Sequence, residues 1–137
     1  MVREILFKAK RIGDGKWIEG DLIKRVHYDD VTYYIGFIEM TSLSKTQVIP
    51  ETVSQFTGLY DKNGVRIFEN DIVEYDDLFL NVQGRFEKRK TKSIVTFDNE
   101  HACFSPFEPD LYELYIQAEN VEVIGSRFDN PELLKGK

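Results

Sequence analysis

From Phe56 to Tyr75 the chain reads FTGLYDKNGVRIFENDIVEY, and this stretch restricts the fold more than any other. Gly58, Asn63 and Gly64 tolerate positive φ, so the backbone can bend or reverse there at little steric cost. Beyond the turn the residues follow period two, Ile72 and Glu74 against Val73 and Tyr75, rather than the spacing of an amphipathic helix. Alternating runs joined by tight reversals pair as antiparallel strands.

The same pattern recurs along the chain. Residues 3–9 and the run from Trp17 to Val26 read as strands separated by the turn Gly13-Asp14-Gly15. Residues 31–38, VTYYIGFI, are β-branched and aromatic and follow a turn at His27–Asp30. A short strand is expected at Thr46–Ile49, and Pro50–Gln55 is a connector able to form one helical turn. Residues 76–93 predict a long hairpin or loop. Ser93–Phe97 and Val121–Gly125 read as strands, with weaker candidates at Ala102–Phe107 and Glu113–Ile116. Asn130-Pro131 predicts one short C-terminal helical turn with Asn130 as its N-cap. No long amphipathic helix fits this pattern, so the class is mainly β.

Composition narrows the function classes. The 137 residues suit one ordinary domain or two very small β units, and ten Phe, seven Tyr and one Trp supply a rigid aromatic interior. The net charge of −6 opposes nonspecific duplex binding, which requires clustered cations, although a local basic patch is compatible with it. Cys103 is the single cysteine, which excludes an intrachain disulfide or a cysteine zinc site and fits a reducing compartment. The stretch MVREILFKAKRIGDG lacks the apolar core of a signal peptide, and no apolar run approaches the length of a membrane span. The expectation is a cytoplasmic protein with no membrane partner.

The acidic node Glu69-Asn70-Asp71 allows two readings. In one it is a folding corner, with Asn70 in the left-handed region and Asp71 accepting a backbone N–H two residues away. The segment KWIEGDLI, Lys16–Ile23, aligns without a gap on RIFENDIV, Arg66–Val73, and places Gly20 and Asp21 at the equivalent positions. Gly20, Asp21, Gly58, Asn63, Gly64, Asn70 and Asp71 are therefore the candidate structural corner residues. In the other reading Glu69 and Asp71 form a metal site or an acid/base pair, but two carboxylates make an incomplete cation cage.

Other chemistry is sparse. His27 and His101 belong to no metal-ligand motif, and a Cys103–His101 nucleophilic pair rests only on both sharing one face if the segment is a strand. Phosphate-binding glycine loops and the serine-hydrolase elbow are absent. Accordingly no catalytic, metal or cofactor-binding residue is assigned, and no cofactor is expected. The basic stretch Arg85, Phe86, Lys88, Arg89, Lys90 and Lys92 is the one candidate nucleic-acid surface, because a basic hairpin carrying an aromatic can track phosphates and stack a base. Its alternative is a solvated strand whose charges protect a sheet edge.

Four blocks in this order, REILFKAK, FTGLYDKNGVRIFENDIVEY, SIVTFDN and EVIGSRFDNPELL, resemble the YopX family, small proteins of phages and prophages in Gram-positive bacteria. The family's glycine in its EGD corner is Asn70 here and is kept as Gly20 in the first copy. The resemblance implies a mainly β fold with an N-terminal β-sheet segment over residues 1–54 and a small SH3-like barrel, or roll, over residues 55–137. It brings no catalytic residues. The functional expectation is a non-enzymatic interaction module that binds an unidentified phage or host protein or a second copy of itself, with a nucleic-acid accessory role through residues 85–92 as the alternative.

Overall fold

The computed structural model describes residues 3–39, 42–107 and 118–135. They are mainly strand with almost no helix, and the chain divides into two compact units, Met1–Gly58 and Leu59–Lys137.

In the first unit, β1 (Phe7–Lys10), β2 (Trp17–His27), β3 (Asp30–Glu39), β4 (Ser42–Gln47) and β5 (Ser54–Tyr60) form antiparallel neighbours in the order β4-β3-β2-β1-β5. The Gly13-Asp14-Gly15 turn forms as expected. Arg11 N–H donates to the Lys16 carbonyl at 2.9 Å, Asp14 accepts the Lys16 amide, and Gly15 has φ +70°. At the other end of β2, His27 pairs with Asp30, leaving Tyr28 and Asp29 as a two-residue connection with Tyr28 at φ +54°. Alternate residues of β2 and β3 turn inward. Ala9, Ile35 and Val48 are fully buried, and Phe7, Ile18, Leu22, Tyr33 and Val53 pack against them. The connector after β4 contains a 3₁₀ turn at Pro50–Thr52.

The second unit contains β6 (Arg66–Phe68), β7 (Asp71–Leu80), β8 (Phe86–Ile94), β9 (Thr96–Asp98), β10 (Cys103–Ser105) and β11 (Ala118–Ser126). Its sheet runs β11-β7-β8, and β9 and β10 pair as a separate ribbon. Ile67, Val73, Tyr75 and Val95 form the core, joined by Phe104, Phe107, Val121 and Val123. Residues 76–93, the least apolar long stretch, form a hairpin: β7 and β8 stay in register from Ile72↔Ile94 to Leu80↔Phe86.

The mainly β expectation holds, but the SH3-like barrel over residues 55–137 is not seen as a closed barrel. Among the described residues the second unit's sheet is open, with β8 and β11 as its outer strands. The first strand is shorter than residues 3–9, and the strand expected at Thr46–Ile49 is instead Ser42–Gln47. The candidate at Glu113–Ile116 lies outside the described residues. The C-terminal helical turn is present as a 3₁₀ turn, Pro131–Leu134, but Asn130 does not cap it: its Oδ1 accepts the Ser126 amide instead.

Candidate functional site

The turn between β5 and β6 is organised by a residue that the sequence reading passed over. Asp61 is 7% exposed, and its carboxylate accepts three backbone N–H groups: Asn63 at 2.8 Å and Val65 at 2.9 Å on Oδ1, and Val123 of β11 at 3.0 Å on Oδ2. The Asp61 amide donates to the Val65 carbonyl at 2.8 Å, and Gly64, at φ +80°, completes the reversal. Burial pushes the carboxyl pKa up, but the three amide donors outweigh it and hold Asp61 below the ordinary carboxylate range. Asn63 and Gly64 thus lie in the tight turn where they were expected. Gly58 sits in β5 at φ +88°.

The β7–β8 turn is built in the same way. Asn81 Oδ1 accepts the Gln83 and Arg85 amides at 2.9 and 3.0 Å, the Asn81 amide donates to the Arg85 carbonyl at 2.8 Å, and Gly84 has φ +78°. DKNGV and NVQGR are thus two copies of one device, an Asx residue followed three positions later by a left-handed glycine. This recurrence was visible in the sequence as Asp61…Gly64 and Asn81…Gly84.

At the acidic node Asn70 is left-handed, with φ +70°. Asp71 is buried at 2% exposure, and its Oδ2 accepts the Phe68 amide at 2.9 Å, a bond that closes the corner across three residues where one across two was expected. The Asn70 carbonyl accepts the Arg127 amide at 2.9 Å, and its own amide donates to Val95 at 2.8 Å, which ties the corner to both flanking segments. Gly20 and Asp21 do not form an equivalent corner. They lie within β2, where Asp21 is exposed and opposite Gly36. A Cβ on Gly20 would stand 2.9 Å from the Gly36 carbonyl oxygen, so this glycine permits close strand approach and not a bend.

The candidate nucleic-acid residues all fall on one hairpin. Arg85 is in its turn, and Phe86, Lys88, Arg89, Lys90 and Lys92 follow along β8. Phe86 is 68% exposed. The register opposes this basic strand to an acidic one: Lys92 faces Glu74, Lys90 faces Asp76, and Arg89 faces Asp77. Arg89 lies 3.8 Å from Asp77, and Lys90 lies 3.8 Å from Asp76 and 4.0 Å from Glu74. Asp76 also accepts an N–H from the Asn120 side chain at 2.8 Å, which, with nearby Lys90 and Lys88, holds its pKa low. Cations interleaved with carboxylates make a poor phosphate track.

His101 and Cys103 do not share a strand face, because His101 and Ala102 occupy a turn in which Ala102 has φ +53° and the strand begins only at Cys103. His101 Nδ1 instead contacts Asp98 Oδ2 at 2.7 Å, a hydrogen bond that leads the factors lowering the Asp98 pKa. Asp98, Glu100 and His101 place ligand-type atoms within 4.8 Å of one another. Both Asp98 oxygens already serve the turn, since Oδ1 accepts the Glu100 amide at 2.9 Å. His27, exposed at the end of β2, makes an edge contact with the Tyr28 ring at 4.7 Å between centroids. Among the described residues no helix is long and apolar enough to cross a membrane.

Among solved structures, the crystal structure of protein EF1440 from Enterococcus faecalis is similar to this chain, with 19% identity and a TM-score of 0.55 over 98% of this chain and 100% of that one. At that identity the likeness is one of fold. No curated protein matches. The YopX protein family profile matches residues 6–135, nearly the whole length, and the chain belongs to the YopX family.

Proposed function

We propose that the chain is a non-catalytic interaction module, encoded by a phage or prophage and working in the bacterial cytoplasm, that binds a phage or host protein or a second copy of itself. One observation carries this reading: both long hairpins end in exposed apolar side chains that contribute little to either core. On the β2–β3 hairpin Val26 and Val31 face each other across the strands at 61% and 43% exposure, and Tyr28 in the connection is 89% exposed. On the β7–β8 hairpin Val82 and Phe86 are exposed. Apolar groups held in water on rigid hairpins gain free energy when a partner covers them. Of the two carboxylates that looked like chemistry in the sequence, Asp71, by contrast, holds a backbone amide. A small SH3-like roll over residues 55–137 is part of the proposal as a description of architecture, supported by the short antiparallel strands of the second unit.

The test uses the tagged full chain as bait in prophage-induced cells, followed by binding of the purified pair. The expected result is a defined protein whose binding weakens on Tyr28→Ser or Phe86→Ser. Failure of every recovered protein to bind in purified form would refute the module reading. A salt-dependent shift of labelled DNA that is lost in Lys88→Ala/Arg89→Ala/Lys90→Ala would replace it with the nucleic-acid accessory role.

A further inference from the structure

The chain holds a single Asn-Gly pair, Asn63-Gly64, and both residues are exposed at the tip of the β5–β6 turn. In such a pair the glycine nitrogen can reach the asparagine side-chain carbon and close a cyclic imide, because no Cβ shields it. Chain neighbours aside, no heavy atom of the described residues lies within 4 Å of the point where a Gly64 Cβ would stand. Comparable residues differ from Asn63 in how their side chains are engaged. Asp14 also precedes a glycine, but its carboxylate is bonded to the Arg11 guanidinium and the Lys16 amide. The Arg11 bond leads in holding it ionised, below the ordinary carboxylate range, and a carboxylate is a poor target for a nucleophile. Asn81 commits its Oδ1 to the Gln83 and Arg85 amides and its side-chain N–H₂ to Glu87, and a β-branched valine follows it. Asn63 is tied by its backbone instead: its main-chain amide donates to Asp61 Oδ1 at 2.8 Å, and the residue stands in water.

We propose that Asn63 is a self-modification site, deamidated through Gly64 at a rate set by Asp61. The Gly64 nitrogen bonds to Asn63 Cγ while the Cγ–N bond of the side-chain amide breaks, and the proton from Gly64 ends on the departing nitrogen, which leaves as ammonia. Water then adds across either carbonyl of the cyclic imide and opens it, which yields aspartate or isoaspartate at position 63 with no change of oxidation state. In the closed turn this attack is blocked. The Gly64 N–H donates to the Asp61 carbonyl at 3.0 Å, and Asp61 Oδ1 pins the amides on either side, those of Asn63 and Val65. The reaction therefore follows the fraction of molecules in which the turn is open. Its product acts back on the same turn: it sets a second carboxylate near Asp61, and isoaspartate inserts a methylene into the main chain between the two amides that Asp61 Oδ1 accepts.

The test incubates the purified full chain in mildly alkaline buffer made with heavy-oxygen water and follows the peptides around positions 14, 63 and 81 by mass spectrometry. Wild type should take up heavy oxygen at position 63, with isoaspartate among the products, and none at 14 or 81. Asp61→Ala should speed the reaction by about tenfold, because the open turn becomes more populated by that factor. Asp61→Asn, which keeps an oxygen for the turn amides, should react as slowly as wild type. Ile67→Ala, which weakens the same unit from its core and leaves the turn intact, should also stay near the wild-type rate. No label at position 63, in a buffer that converts a free peptide of residues 59–66, would overturn the site. Equal rates in Asp61→Ala and Ile67→Ala would remove Asp61 from control of it. Label at 14 or 81 as fast as at 63 would refute selection by side-chain engagement.

Discussion

Asp61→Ala tests whether a single carboxylate organises the second unit. The substitution removes the acceptor for Asn63, Val65 and Val123 while leaving the apolar core untouched. The first two amides lie in an exposed turn, where water replaces the carboxylate and each loss costs less than about 1 kcal/mol. The Val123 amide belongs to a half-buried strand position, and leaving it without an acceptor costs about 1–3 kcal/mol. Together the loss comes to about 3 kcal/mol, which lowers the melting temperature by roughly 10 °C for a domain of this size. Asp61→Asn separates the contributions. It keeps an oxygen for Asn63 and Val65 but can turn an amide N–H₂ toward the Val123 donor, so the cost falls mainly on the link to β11. The acid limb supplies an independent check. Because the folded pKa is depressed, the unfolded chain binds more protons just below the unfolded value of about 3.9. The Asp61 contribution is therefore complete above that value and disappears as the pH falls through the lower, folded pKa. Urea denaturation across this range should show a shallower acid loss in Asp61→Asn than in wild type, and hydrogen exchange should show the Val123 amide deprotected. A melting temperature unchanged in Asp61→Ala, or an acid limb unchanged in Asp61→Asn, would refute the assignment.

Three further outcomes are expected. Asn70→Gly should be nearly neutral, whereas Asn70→Ala should cost about 1 kcal/mol in urea denaturation because an alanine at φ +70° is strained. Gly36→Ala should destabilise the first unit by about 2 kcal/mol, since a Cβ there runs into the Ser44 carbonyl oxygen, and exchange protection should be lost first along β3 and β4. Ile67→Ala, at a core site 1% exposed, should cost about 3 kcal/mol and register in the same melt as Asp61→Ala.

The parts of this fold that were legible in the sequence are those fixed by local chemistry. Gly15, Gly64 and Gly84 adopt positive φ in turns because the reversal is decided by a few adjacent residues. Period-two alternation likewise marks DIVEY as a strand, since Val73 and Tyr75 face the core while Glu74 does not. What was not legible depends on neighbours distant in the chain. The match of KWIEGDLI to RIFENDIV suggested two corners, yet glycine serves two purposes, and Gly20 serves the second: it admits the Gly36 carbonyl from the adjacent strand. Asn130 looked like a helix cap, but the Ser126 amide claims its side chain. Asp61 was readable as a turn residue, whereas its bond to Val123 spans 62 positions and could not be read from spacing.

These assignments also bear on where function can reside. For a metal or substrate to recruit Asp71, it would have to displace the Phe68 amide from a carboxylate that is 2% exposed, leaving a buried donor unsatisfied at a cost of about 1–3 kcal/mol. Recruiting Asp61 would release the Val123 amide on similar terms. Binding at either residue therefore works against the fold. At the end of the β7–β8 hairpin the balance is opposite: Val82 and Phe86 project into water, the Asn81 turn holds the hairpin shape without them, and a partner that covers them displaces no internal bond. Side chains on that hairpin end can change with little cost to the second unit's core. Substitutions at Val82 and Phe86 should accordingly alter binding while leaving the urea midpoint within about 0.5 kcal/mol of wild type.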